Sequence, residues 1–309
     1  MKVAPRRAPC ISSRKMKCTK YPPGKFDSKK MATIAPSACY ILTYRAERSA
    51  PHAAQDHRLN NLLAVLAWLK RFPELAVVLV EQDRTPTLNV AELSPHLRGV
   101  NYQFAYNPGP FNKSWGLNVG ARCANTDVIG FGDADVMCGD VIASLNACRE
   151  RVLAVNCHQR VIDLTAPQSA LVHAGNHDYL PDASEAIGRD AQQEHVVFCG
   201  GNFFIRRLAL LELGLWDERF LGWGGEDDAM SFKLQRARAS AMQFDSRPAI
   251  HLHHERTAPV AGGAPPHSDY ATNLRLLQRY RDYSDDELSR LYEIGRQVHG
   301  NLNKYRPLP

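Results

Sequence analysis

The sequence predicts an α/β fold built around a parallel sheet, and three observations predict it. Residues 38–44 (Ala-Cys-Tyr-Ile-Leu-Thr-Tyr) and 75–80 (Leu-Ala-Val-Val-Leu-Val) are short apolar runs rich in β-formers, as strands buried on both faces are. Between them, Asn60 to Arg71 carries Leu62, Leu63, Leu66 and Leu69 on one helical face before Pro73, and strand, helix, strand is a βαβ unit. Polar residues then gather where these runs finish, at Arg45, at Glu81-Gln82-Asp83 and, after a later apolar run, at Gly132-Asp133-Ala134-Asp135. That is the edge of an open α/β sheet at which ligands bind.

The remaining elements follow in order. A helix is expected over 114–124, a strand over Val128–Phe131, a helix over 139–150 and a strand over 151–156. Residues 164–196 are polar with no strong period, as in a long functional or disordered loop. Phe203–Ile205 reads as a strand, Leu208–Leu213 as a helical turn, the segment from Gly225 to about Ala239 as a helix, and 248–254 as a strand. Thr257–His267 is rich in Pro, Gly and Ala, and Gly262-Gly263 gives it hinge freedom, so it reads either as a lid or as a linker. Ser284 with Glu287 forms a capping box for a last amphipathic helix to about Val298.

The net charge of +6 is unevenly spread. Ten Lys/Arg against Asp27 alone put residues 1–30 at +9 and leave the rest at −3. The high pI therefore says nothing of a basic face on the folded part. The basic segment has no apolar periodicity and is expected to be a disordered extension rather than a tether to nucleic acid or to an anionic membrane. No apolar stretch follows its charges, so no signal peptide is expected, and no run approaches the ~18 apolar residues of a membrane span. Eight cysteines at irregular spacing, none in a Cys-x-x-Cys pair, read as free thiols of a reducing, cytoplasmic compartment.

Two acidic clusters carry the chemistry. Asp133 and Asp135, at i and i+2 in an extended segment, would point the same way and could hold a divalent cation against a diphosphate. His251-Leu252-His253-His254 adds imidazoles. On a continuing strand His251 and His253 share a face while His254 points opposite, so Asp135, His251 and His253 make a mixed N/O shell suited to Mn²⁺ or another divalent ion. The second cluster is Gly222-Trp223-Gly224-Gly225-Glu226-Asp227-Asp228. Its glycines permit a tight turn, Trp223 offers a face for a sugar ring, and the acids open a helix whose dipole favours ionised carboxylates. An ionised carboxylate beside an acceptor hydroxyl is a general base.

In these blocks the chain resembles the β-1,4-galactosyltransferase family and its bacterial relatives, which have the GT-A nucleotide-sugar transferase fold. The matching blocks are Phe111-Asn112-Lys113-Ser114 through Leu117-Asn118-Val119-Gly120; Phe131 to Asp135; Gly200-Gly201 with Gly222 to Asp228; and His251-Leu252-His253. They span roughly residues 38–255. The resemblance implies a GT-A domain with a mixed, mostly parallel sheet flanked by helices over residues 31–255. A basic tail (1–30) would precede it, and a flexible loop with C-terminal helices (256–309) would follow. It implies an inverting glycosyltransferase that moves galactose or N-acetylgalactosamine from a UDP-sugar to a saccharide or glycoconjugate acceptor, with no nucleic-acid partner.

By position, the resemblance makes Asp227 the catalytic base with Glu226 beside it. Thr43, Arg45, Arg48, Phe111, Lys113 and Asp133 fall on the donor-nucleotide side, with Lys113 where the family usually has Arg. Trp223, Gly224, Asp228 and Phe198 fall on the sugar and acceptor side, Phe198 lacking the hydroxyl often found there. Asp135, His251 and His253 take the place of the metal ligands. A retaining N-acetylgalactosaminyltransferase-like enzyme would have Asn after the Glu and a His in the acidic motif, where this chain has Asp227 and Asp135. A catalytically dead sugar- or nucleotide-binding module would not need the intact acidic set.

Overall fold

The structure is a computed structural model that describes residues 36–46, 56–182, 200–244, 246–255 and 269–306. The 1–30 tail, Arg48, Phe198 and the 257–267 loop lie outside the described residues. By compactness the chain divides after Ile34, and the sheet, the site elements and the C-terminal helices belong to one unit.

The strands are β1 (Ala38–Tyr44), β2 (Leu75–Asp83), β3 (Val100–Tyr106), β4 (Val128–Gly132), β5 (Val136–Met137), β6 (Ala154–Asn156), β7 (Val161–Asp163), β8 (Phe203–Arg206), β9 (Ala241–Gln243) and β10 (Ala249–His251). The helices are α1 (His57–Leu69), α2 (Ser94–Leu97), α3 (Lys113–Cys123), α4 (Val141–Glu150), α5 (Ala166–His173), α6 (Arg207–Glu212), α7 (Glu226–Arg236), α8 (Tyr270–Asp282) and α9 (Asp285–Val298). Seven strands form the main sheet in the order β3-β2-β1-β4-β8-β6-β9. The strands β3, β2, β1 and β4 run parallel, while β8 is antiparallel to both β4 and β6. A small sheet, β5-β10-β7, stands beside it. The architecture is therefore a mixed, mostly parallel sheet flanked by helices, as expected.

Helices cover both faces, which explains why all seven residues of β1 are buried. Tyr40 and Leu42 face one core with Leu62, Leu66 and Leu69 of α1 and Val141 and Leu145 of α4. Cys39 and Ile41 face the other, with Trp115, Leu117 and Val119 of α3, Leu210 of α6 and Met230 of α7. Helix α3 lies against β1 closely because Gly116 and Gly120 carry no Cβ. Atoms there would overlap Thr43, Gln82 and Ile41.

Helix α1 starts at His57, three residues before the expected Asn60, because the Asp56 carboxylate caps the amide of Leu59 at 2.9 Å. The expected capping box of α9 is present, with Ser284 and Glu287 each accepting from the other's amide. Strand β10 stops at His251, shorter than the expected 248–254. The polar 164–196 stretch contains α5, opened by a Thr165/Gln168 capping box. Helices α8 and α9 pack on the body, with Tyr280 and Leu288 clustering with Phe220 and Ala229. The segment after α9 returns to α3: Asn301 O accepts from Trp115 Nε1 (2.9 Å), and the Glu218 carboxylate collects Asn118 Nδ2 (3.0 Å), the Gly300 amide (2.6 Å) and Lys304 Nζ (2.8 Å). No helix among the described residues is long and apolar enough to cross a membrane.

Candidate active site

The parallel strands bring their polar C-terminal ends to one edge, and the site is assembled there. Beneath β4, the Tyr40 phenol fills the space left by Gly130 and Gly132, where any Cβ would overlap its ring or hydroxyl. Asn202 Nδ2 bonds to that hydroxyl. The chain then turns instead of continuing extended, with Val136 N donating to Asp133 O at 3.3 Å. Consequently Asp133 and Asp135 do not present their carboxylates together, as their i, i+2 spacing suggested. Each serves a different partner.

Asp133 meets Lys113, the first residue of α3. Asn112 sets that helix start, its side chain capping the amide of Trp115 (2.8 Å) and donating to Glu218 O (2.9 Å). Lys113 Nζ sits 2.9 Å from Asp133 Oδ1, 3.4 Å from Asp227 Oδ1 and 3.5 Å from Glu226 Oε1. Glu226 and Asp227 open α7, reached through Gly222, Gly224 and Gly225, all at positive φ (66°, 96° and 93°). At Gly225 a Cβ would also lie 2.7 Å from the Phe220 ring.

Burial is the largest influence on both Lys113 and Asp227. It opposes charge on Lys113, but Asp133, Asp227 and Glu226 together hold the ammonium well above its usual pKa. Burial pushes the Asp227 carboxyl up to about 8. Lys113 opposes this, while Glu226 and Asp133 add to it. The two directions are compatible, because one ammonium faces three carboxylates and the surplus negative charge is relieved by a proton on Asp227. The helix dipole is worth about 0.3–1 kcal/mol to an ionised first-turn acid, too little to reverse burial. The shift runs toward the protonated form of Asp227, contrary to the expectation from its helix position alone. Burial also raises the pKa of Asp228, with Glu226 adding to the effect.

Asp135 meets the histidines. Strand β5 pairs antiparallel with β10, placing Val136 opposite His251, and Leu252 N donates to Asp135 O at 2.8 Å. Asp135 Oδ2 lies 3.6 Å from His251 Nε2 and 3.3 Å from His254 Nε2. One ligand atom from each of Asp135, His251 and His254 lies within 4.8 Å of the others. In this cluster His254 stands where the strand alternation had put His253. The alternation that paired His251 with His253 lapses where β10 ends. The His253 ring instead packs edge-on to His57, with centroids 5.4 Å apart, and its amide bonds Ser169 Oγ. Burial opposes charge on Asp135, yet His251 and His254 hold its carboxyl well below the usual range. Burial depresses the His254 pKa, against the pull of Asp135. One carboxylate and two imidazoles converging by Nε2 fit a divalent ion such as Mn²⁺.

The other expected residues divide. Thr43 is buried under α3, donating to Val80 O (3.2 Å) and accepting from Gln82 Nε2 (2.8 Å), so its hydroxyl is engaged inside the fold. Arg45 donates to Gln82 O, Gly109 O and Asn107 O, and stands 5.9 Å over the Phe111 ring. It thereby shapes the loop that leads to Lys113. Trp223 is 57% exposed and pairs with Tyr270 at 5.3 Å between centroids. Gly224 lies under the same ring, where a Cβ would be 3.2 Å from Tyr270. Lys113, Asp133 and Asp227, with Leu117, Phe131 and Trp216 beneath them, line a small gap too narrow to hold a water molecule. Two residues were missed from sequence: Tyr270, on a helix beyond the matching blocks, and Asp163, which bonds His251 from β7 at 3.0 Å. Neither carries a local signal, since each reaches the site by a long-range contact.

No protein-family model matches the chain, and no curated protein sequence matches it. Among solved structures, it is similar to the catalytic domain of Drosophila beta1,4galactosyltransferase 7 in complex with xylobiose, at 16% identity and a TM-score of 0.42, covering 71% of this chain and 72% of that one. It is similar to GalNAc-T7 with UDP, GalNAc and Mn²⁺, at 15% identity and a TM-score of 0.47, covering 84% of this chain but 55% of that one. It is also similar to S. aureus TarS 1–349 in complex with UDP-GlcNAc, at 13% identity and a TM-score of 0.49, covering 82% and 69%.

Proposed function

We propose that this chain is a metal-dependent, inverting glycosyltransferase of the GT-A type that transfers galactose or N-acetylgalactosamine from a UDP-sugar to a saccharide acceptor. One observation carries the reading. Lys113 draws Asp133, Glu226 and Asp227 from two distant segments into one cluster, beside that of Asp135, His251 and His254.

In this reading Asp135, His251 and His254 hold the divalent ion, and the bound ion neutralises the charge of the leaving diphosphate. The Lys113 ammonium supplies a second positive charge for phosphate oxygens. Trp223, with Tyr270 behind it, presents an aromatic face to a sugar ring. Asp227, once deprotonated, takes the proton of the acceptor hydroxyl at a carboxylate oxygen, so that the hydroxyl oxygen attacks the anomeric carbon from the face opposite the diphosphate. Glu226 stands beside it in the first turn of α7.

The test is a screen of UDP-sugars with Mn²⁺ for UDP release and glycosylated product. Chelator abolishes transfer and Mn²⁺ restores it. Because general-base catalysis is worth about 10²–10⁴-fold, Asp227→Asn lowers turnover by that order while sparing donor affinity. The product from an α-linked donor is the β anomer, read from NMR coupling constants. Full activity in chelator, or retention of the α configuration, overturns the proposal.

A further inference from the structure

We propose that Asp163 is a positioning residue that orients His251 for the metal. The inference rests on the metal reading of Asp135, His251 and His254, and extends it to a residue outside that cluster. Strand β7 runs parallel to β10 with Asp163 in register with His251, and Leu164 N donates to His251 O at 2.8 Å. The backbone thus holds the Asp163 carboxylate beside the imidazole, with Oδ1 3.0 Å from Nδ1. A carboxylate accepts at Nδ1 only from an N–H. With Nδ1–H committed there, Nε2 is the nitrogen that faces Asp135 Oδ2, at 3.6 Å, and the one left to bind a metal.

The second imidazole repeats the pattern with a different acceptor. His254 Nδ1 lies 3.0 Å from Glu255 O, and its Nε2 lies 3.3 Å from Asp135 Oδ2. Both rings therefore turn Nδ1 outward to an oxygen and Nε2 inward to the same carboxylate. Two rings three residues apart, one on β10 and one beyond its end, thus share the same sense toward Asp135. Histidines that bind metals ordinarily show this division, and loss of the outer partner weakens metal binding about 10–100-fold. Asp163 ranks above the Glu255 carbonyl as the test residue because a side chain can be replaced without altering the backbone.

The experiment titrates the full chain with Mn²⁺ alone, followed by electron paramagnetic resonance of free ion, and records metal-free melting temperatures. Asp163→Ala should raise the Mn²⁺ dissociation constant about 10–100-fold. Asp163→Asn keeps an oxygen able to accept from Nδ1–H and should recover most of that loss. His251→Ala is the control. If His251→Ala weakens binding while Asp163→Ala does not, the inference falls and the metal reading stands. If His251→Ala leaves binding unchanged, or the wild-type chain takes up no Mn²⁺, the metal reading fails and the inference with it. If Ala and Asn impair binding equally and both lower the metal-free melting temperature, Asp163 is a fold residue and the proposal is overturned.

Discussion

The raised proton affinity of Asp227 has a stability consequence that can be measured without any substrate. Its carboxyl moves from the usual 3.8 to about 8 on folding, first because it is buried and then because Glu226 and Asp133 crowd it. Between those two values the native state holds a proton that the unfolded chain has released, so stability falls as pH rises. At about 1.4 kcal/mol per tenfold change in proton affinity, the full displacement is worth roughly 6 kcal/mol at most, complete above pH 8. About 3 kcal/mol of this falls between pH 5.5 and pH 8.5. An amide at this position has the same shape and no proton to lose. Asp227→Asn should therefore gain stability over the wild type as pH rises, the gap widening by about 5–10 °C between those pH values. Differential scanning calorimetry in metal-free buffer reads it directly. A gap that stays constant, or that favours the wild type more at high pH, would show that Lys113 keeps Asp227 ionised, and the reasoning would be refuted.

Two further outcomes follow from the geometry. Replacing His254 by Ala should weaken Mn²⁺ binding at least about 10-fold, whereas His253→Ala should leave it unchanged, because only the former ring faces Asp135; isothermal titration with Mn²⁺ separates them, and the reverse ranking would restore the alternation read from sequence. Gly116→Ala would force a methyl group into Thr43 and Gln82, so a loss of about 1–3 kcal/mol is expected in urea unfolding. Because Gln82 Nε2 also donates to Asn112 O at 2.8 Å, turnover should fall with it; unchanged unfolding would mean α3 moves freely off the sheet.

The central strands were legible because helices cover both their faces, so β1, β2 and β4 are nearly unbroken apolar runs. Strand β3 was missed although Val100, Tyr102, Phe104 and Tyr106 alternate with Asn101, Gln103 and Ala105; at the edge of the sheet it is half-buried along most of its length and is no continuous apolar run. The two- and three-residue strands β5, β7 and β9 are too short to show any period, and it is β5 and β7 that bring Asp135 and Asp163 to His251. Helix α5 did carry a signal, Thr165-Ala166-Pro167-Gln168, hidden within a polar stretch. Among the site residues, Lys113, Asp133, Asp227 and Asp135 were legible as residue types in a pattern. Which atoms face one another was not. The choice between His253 and His254 depends on where β10 stops, and the protonation of Asp227 on how deeply α7 is buried.

Glu218 joins the segment after α9 to the Lys113 cluster. Its backbone carbonyl holds Asn112, the cap that starts α3 at Lys113, while its carboxylate holds the amide of Gly300 and the ammonium of Lys304. Gly300 stands at a φ of +79°, and a Cβ there would lie 2.7 Å from Asn118 O. A side chain at position 300, nearly two hundred residues from Lys113 in sequence, would push on the helix that carries the lysine and through its cap on the lysine itself. Damage of this kind would look, in an assay, like a substitution of Lys113 itself.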